Sequence, residues 1–198
     1  MTGLGIMGGI FDPIHNGHLA AAEAAREHFK LDRVIFVPAG NPPHRLAMPA
    51  AGAEDRYLLT ALAVAGNPYF AVSRVELDRP GPSYAYDTVS HFQQLYKPER
   101  LYFITGMDAV LDVETWYRVN DLMSICRFVA VTRPGYETDD LARRVSADHL
   151  SVIDVIATPG IDISSTTIRE RLRSGRSVRY LVPDIAVDYI RKEGLYAG

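Results

Sequence analysis

Residues 5–25 read GIMGGIFDPIHNGHLAAAEAA. An apolar run ends in paired glycines, a loop follows with Asp12, Pro13, His15 and His18, and then an alanine-rich stretch begins. Apolar residues without alternation suit a strand buried on both faces. Leu19, Ala22, Arg26 and Phe29 fall near helical spacing, and the alanines add helix propensity. The stretch therefore reads as strand, loop, helix.

Outward from it, the same alternation continues. RVIFVP is a second strand, AGNPPHRLAMPAAG a Pro-rich loop and AEDRYLLTALAVAG an amphipathic helix ending at Gly66. FAVSRVEL reads as extended, YAYDTVSHFQQLY as helix, RLYFITG as strand, and RFVAVTRPG as a strand whose end Pro134 and Gly135 fix. LSVIDVIA is one more strand, and SSTTIRERLRSG and IAVDYIRKEGLY supply two closing helices. Strands alternating with helices predict an α/β fold, a doubly wound parallel sheet covered on both faces, with a small C-terminal helical part over about 164–198. No repeat, low-complexity segment or long linker divides the chain, so residues 1–198 are expected to form one domain.

Composition narrows the function classes. The chain has 198 residues, 47% of them hydrophobic, enough for a substantial core. A formal net charge of -3 supplies no global basic field, so no nucleic-acid partner is expected and an anionic partner must be held locally. Cys126 is the only cysteine and lies in apolar SICRFVAVT, which excludes an internal disulfide or a cysteine metal cluster and predicts a buried thiol. No apolar run is long enough to span a bilayer, and the first residues lack a charged signal-peptide start; the expectation is a cytoplasmic protein with no membrane partner.

In open parallel sheets, ligands gather beyond the carboxyl ends of the strands, where helix N-termini also present amides. GGIFDPIHNGH, PAGNPPHR, TGMDAVLDVETWY and TRPGY all fall there. Gly8 and Gly9 remove side chains at a strand end, which suits close backbone approach to a ligand and equally suits a plain turn. His15 and His18 admit three readings: metal ligands, structural histidines, or hydrogen-bond donors to an anion at a helix start. Gly17, the loop position and the lack of an evident third ligand weigh against the metal. In ISSTTIRERL, Ser165 suits a helix cap and Thr167 with Glu170 fits a capping box, while Arg169 adds a positive fork to the same helix start. Trp116, the single tryptophan, reads as core packing or as a stacking surface, and Arg45 and Arg133 as surface charges or anion contacts.

GGIFDPIHNGHL resembles the H-x-G-H signature of the nucleotidyltransferases related to class I aminoacyl-tRNA synthetases. VPAGNPPHR, SRVELDRPGPSYAYDTV, YFITGMDAVLDVETWY, FVAVTRPGY and the closing IDISSTTIRERLRSGRSVRYLVPDIAVDYIRKEGLY extend the resemblance, in order, to the bacterial nicotinate-nucleotide adenylyltransferases. That resemblance implies ATP and nicotinate mononucleotide as partners. The acceptor phosphate attacks the ATP α-phosphorus, giving deamido-NAD and pyrophosphate, with Mg2+ carried on the ATP phosphates and no dedicated metal ligands. It implies His15 and His18 as catalytic, and Gly8, Gly9, His15, His18, Gly106, Asp108, Ser165, Thr166 and Arg169 on ATP. For nicotinate mononucleotide it implies His44, Arg45, Ala85, Asp108, Trp116, Tyr117 and Arg133, with Trp116 stacked on the pyridine and the Ala85 and Tyr117 amides on its carboxylate. A homo-oligomer is compatible with this pattern. Ile10 replaces a hydroxyl residue frequent in relatives, and Ala85 a threonine. The competing expectations are another H-x-G-H transferase, such as a phosphopantetheine adenylyltransferase, which should lack RPGPSY and GMDAVLDVETWY, and a non-catalytic nucleotide sensor.

Overall fold

The structure, a computed structural model, describes residues 1–43, 48–132, 139–158 and 163–197. In chain order the elements are β1 (Gly3–Gly9), α1 (Asn16–Phe29), β2 (Arg33–Pro38), α2 (Ala53–Val64), β3 (Phe70–Val72), α3 (Val75–Asp78) and α4 (Ala85–Tyr96). There follow β4 (Arg100–Gly106), α5 (Met107–Leu111), a 3-10 turn (Val113–Thr115), α6 (Val119–Ile125), β5 (Arg127–Thr132) and α7 (Asp139–Arg144). The rest comprises α8 (Ala147–Leu150), β6 (Ile153–Ala157), α9 (Ser165–Arg173) and α10 (Asp184–Lys192).

The six strands form one parallel sheet in the order β3-β2-β1-β4-β5-β6. Successive residues of a strand point to opposite faces, and the sequence fills both. From β1, Leu4 and Ile6 join Val89, Phe92, Val110, Leu122 and Phe128 on one face. Met7 joins Ala22, Ala25, Leu59, Ile168 and Ile190 on the other. Thus α4, α5 and α6 cover one side, and α1, α2, α9 and α10 the other, each fully buried Leu, Ile or Phe contributing about 1.5–3 kcal/mol. The expected doubly wound α/β sheet is present, and its winding reverses between β1 and β4, the crevice where such sheets bind ligands.

Local departures from the sequence reading have physical causes. The run expected to be extended over 70–77 holds a three-residue β3 and then α3. There the Val75 N–H donates to Ser73 Oγ at 3.3 Å and the Arg74 carbonyl accepts from Leu77 at 2.8 Å, which closes a turn. Arg74 also pairs with Asp78 one turn on, at 3.2 Å. The last strand starts at Ile153, because Ser146 caps a short helix through 150. Cys126 is buried, as expected, and burial pushes its thiol up to about 12. Among the described residues no helix is long and apolar enough to cross a membrane. The turn expected at Pro134 and Gly135 lies outside the described residues.

Candidate active site

The loop between β1 and α1 is anchored at its base by Asp12, 2% exposed. Its carboxyl group accepts from the Ala50 and Ala51 amides at 2.8 and 3.1 Å and from the Tyr196 hydroxyl at 2.9 Å. Burial first, and the Asp12 charge second, push the Tyr196 phenol up, so it stays a donor. The Asp12 carbonyl accepts from Arg169 Nη1 at 2.7 Å, and the preceding Ile10 carbonyl accepts from Arg56 Nη1 at 2.7 Å. Arg56 is 1% exposed. Two guanidinium groups thus fix the carbonyls that aim this loop.

From that base, His15 and His18 are brought together. Their rings stack with centroids 3.6 Å apart and planes 21° from parallel, and Phe11 meets His18 edge-on at 5.1 Å. Gly17 makes room, since a Cβ there would lie 3.0 Å from the His15 ring. The His15 backbone N–H, left over at the start of α1, donates to Nδ1 of His18 at 3.2 Å. A ring nitrogen that accepts carries no proton, so the neutral His18 imidazole keeps its proton on Nε2 and is a donor from that atom.

Two cavities flank the end of β1. One, of about 250 Å³, is lined by Met7, His15, Gly17, His18, Gly106 and Ser165, with Thr132, Thr158 and Ser164 adding hydroxyls. The other, of about 340 Å³, is mostly apolar and is lined by Gly8, Gly9 and Ile10 on one side and Tyr84, Ala85, Trp116 and Tyr117 on the other. Trp116 packs edge-on against Phe103 at 5.8 Å and still lines this cavity, so it combines both readings of the sequence. Ala85 opens α4, whose first amides have no acceptor within the helix, as at any helix start. The room at Gly8 and Gly9 is partly taken by the protein itself, since Cβ atoms there would lie 3.0 Å from Phe103 and 2.8 Å from Phe11.

The other expected residues are placed variously. Asp108 sits exposed in the first turn of α5 and lines neither cavity, although Gly106 lines one and Ala109 the other. Thr166 is exposed, its hydroxyl accepting from Arg169 Nη2 at 3.2 Å. His44, Arg45 and Arg133 lie outside the described residues. The cap of α9 is Ser164, which accepts from the Thr167 amide at 3.1 Å, and not Ser165 as the sequence suggested. Ser165 is the first helical residue, and its hydroxyl donates to the Pro13 carbonyl at 2.9 Å. In a run of hydroxyl residues the choice of cap is set by this tertiary bond. Sequence reading missed Arg56, which sits on an ordinary amphipathic helix, and Glu76, from a segment expected to be extended; neither stands out from its neighbours by pattern.

Comparison with known proteins follows the same lines. Residues 6–171 match the family model described as cytidylyltransferase-like. A protein of Thermoanaerobacter sp. (strain X514), named "Probable nicotinate-nucleotide adenylyltransferase", is 49% identical over 197 residues, 98% of this chain and 93% of its own length. A protein of the same name from Moorella thermoacetica is 50% identical over 197 residues, 98% of this chain and 91% of its own length. In fold the chain is similar to the Plasmodium falciparum nicotinic acid mononucleotide adenylyltransferase complexed with NaAD. The TM-score is 0.77 at 17% sequence identity, covering 99% of this chain and 98% of that one. The same Plasmodium enzyme complexed with APC gives a TM-score of 0.74.

Proposed function

The chain belongs to the cytidylyltransferase-like family and, within it, to the nicotinate-nucleotide adenylyltransferases, and from that premise we propose how its two cavities divide the reaction. The enzyme transfers the adenylyl group of ATP to nicotinate mononucleotide in NAD biosynthesis, releasing pyrophosphate. One observation carries the division of labour: neighbouring residues Met7 and Gly8 of β1 line different cavities, so two ligands can meet over the end of a single strand.

ATP occupies the cavity with His15 and His18, and nicotinate mononucleotide the apolar one. A 5'-phosphate oxygen of the acceptor attacks the α-phosphorus, the bond to the β-phosphate oxygen breaks, and pyrophosphate leaves. Such a transfer needs positioning and charge neutralisation rather than a covalent enzyme intermediate. His18 donates from Nε2 to the reacting phosphate, and His15, stacked on it, holds the neighbouring phosphates. Ser165, Thr166 and Arg169 secure the triphosphate at the start of α9, while Gly8 and Gly9 give backbone access and Gly106 and Asp108 flank the nucleotides. His44, Arg45 and Arg133 complete the acceptor contacts on the same reading. Trp116 stacks on the pyridine, and the amides at Ala85 and Tyr117 bind its carboxylate, a helix start being suited to a negative group.

Magnesium enters with the triphosphate. Among the described residues no three His, Cys, Asp or Glu side chains cluster to hold a metal. The ATP cavity instead offers imidazoles and hydroxyls, donors suited to phosphate oxygen rather than hard-cation ligands. The bound ion would neutralise phosphate charge. The whole chain serves as one nucleotidyltransferase domain, placed with its soluble substrates in the cytoplasm.

Purified protein given ATP, magnesium and, separately, nicotinate mononucleotide, nicotinamide mononucleotide or phosphopantetheine should release pyrophosphate fastest with the first. Faster release with phosphopantetheine, or binding of nicotinate mononucleotide without any release, would overturn the assignment.

A further inference from the structure

Among the described residues lining the acceptor cavity, Glu76 is the only charged side chain. It is 7% exposed, and nothing in the reaction above uses it. Its partners give it a direction. Arg79 Nη2 donates to Thr88 Oγ1 at 3.0 Å, so the Thr88 hydroxyl proton is directed to Glu76 Oε1, at 2.5 Å. On the other side, the Gly40 and Asn41 amides both donate to Ser83 Oγ at 3.0 Å, which leaves the Ser83 hydroxyl with its one proton to offer, and it lies near enough to Glu76 to lower its pKa. Neither amide can reverse its polarity. The Thr88 hydroxyl is therefore aimed at the carboxyl group, with the Ser83 hydroxyl close by. Burial raises the Glu76 pKa and the two hydroxyls counter that rise.

The chain of bonds spans the cavity wall. Ser83 N–H returns a bond to the Asn41 carbonyl at 2.8 Å, locking residue 83 to the start of the loop after β2. At Gly40 a Cβ would fall 2.2 Å from the Glu76 carbonyl oxygen, so the two backbones touch. Thr88 lies in the first turns of α4, and Ser83 lies two residues before Ala85, where that helix begins.

We propose that Glu76 is a positioning residue for the acceptor nucleotide, setting through Ser83 and Thr88 the distance between the loop at 40–41 and the first amides of α4. The proposal rests on the acceptor cavity assigned above. An isosteric amide in place of the carboxyl group would remove its charge and place an NH2 beside these hydroxyls. The Thr88 hydroxyl, held by Arg79, cannot reverse, so the contacts along this cavity wall should shift.

The test is pyrophosphate release with each substrate varied in turn, for the wild-type chain, Glu76→Gln, Ser83→Ala and the double variant. Glu76→Gln is expected to raise KM for nicotinate mononucleotide about tenfold, the scale of one lost partner in a buried site. KM for ATP should stay within about twofold, and the double variant should be no worse than Glu76→Gln, as for residues in one relay. An unchanged acceptor KM, an equal rise in both KM values, or effects that multiply in the double variant would overturn the proposal. Should Glu76→Gln show no cooperative thermal transition, Ser83→Ala decides: a selective rise in acceptor KM upholds the relay and an unchanged value removes it. A wild-type chain inactive with nicotinate mononucleotide removes the acceptor assignment as well, so the two failures are told apart.

Discussion

Because the His15 amide occupies Nδ1 of His18, the imidazole has one nitrogen left with which to donate, and that donor is what the variant His18→Ala deletes. Turnover should fall by about 10²–10³-fold, the cost of removing one donor to a developing oxyanion, with little change in thermal midpoint. Pyrophosphate release and a melting curve on the same preparation check both halves. Trp116→Ala should raise KM for nicotinate mononucleotide selectively over ATP; equal effects on both would reduce Trp116 to its contacts with Phe103 and Phe128. The sequence places the histidine pair at a helix start and leaves metal, structural and anion roles open; the structure brings the two rings together there. The pair's proton arrangement is not readable in the sequence, since a backbone amide sets it and every residue but proline carries one.

Among the elements, the long ones were legible because their burial pattern is periodic. α1, α2, α4, α9 and α10 follow helical spacing, and β1, β2, β4 and β5 are continuous apolar runs. α3, α5, α7 and α8 span four to six residues, too short to express a period, and their starts depend on single side chains. The site follows the same division: the residues at the strand ends could be named, but not which of three adjacent hydroxyls caps α9. Ser164→Ala should cost about 1 kcal/mol in chemical denaturation by loss of the N-cap. Ser165→Ala keeps the cap and loses the bond to Pro13, so its larger effect should fall on KM for ATP.

Across the whole molecule, two apolar layers shield the sheet, and Cys126 reports on one of them. Its thiol is held neutral in the folded chain, raised from 9.0 to about 12 by burial, whereas the unfolded chain ionises near the ordinary value. This contribution to stability is complete below pH 9.0 and is lost as pH rises towards about 12. At pH 8 a disulfide-exchange reagent should label the unfolded chain at once and the native chain only at its opening rate; prompt native labelling would contradict the burial. The knot at Asp12 has a consequence of another kind. Its ligands arrive from residues 50, 51 and 196, so the loop that carries the histidines is held by segments remote from it in sequence. Chains ending at residue 195 should keep the sheet and its circular dichroism yet lose turnover, which makes Tyr196 a latch on a loop 184 positions away.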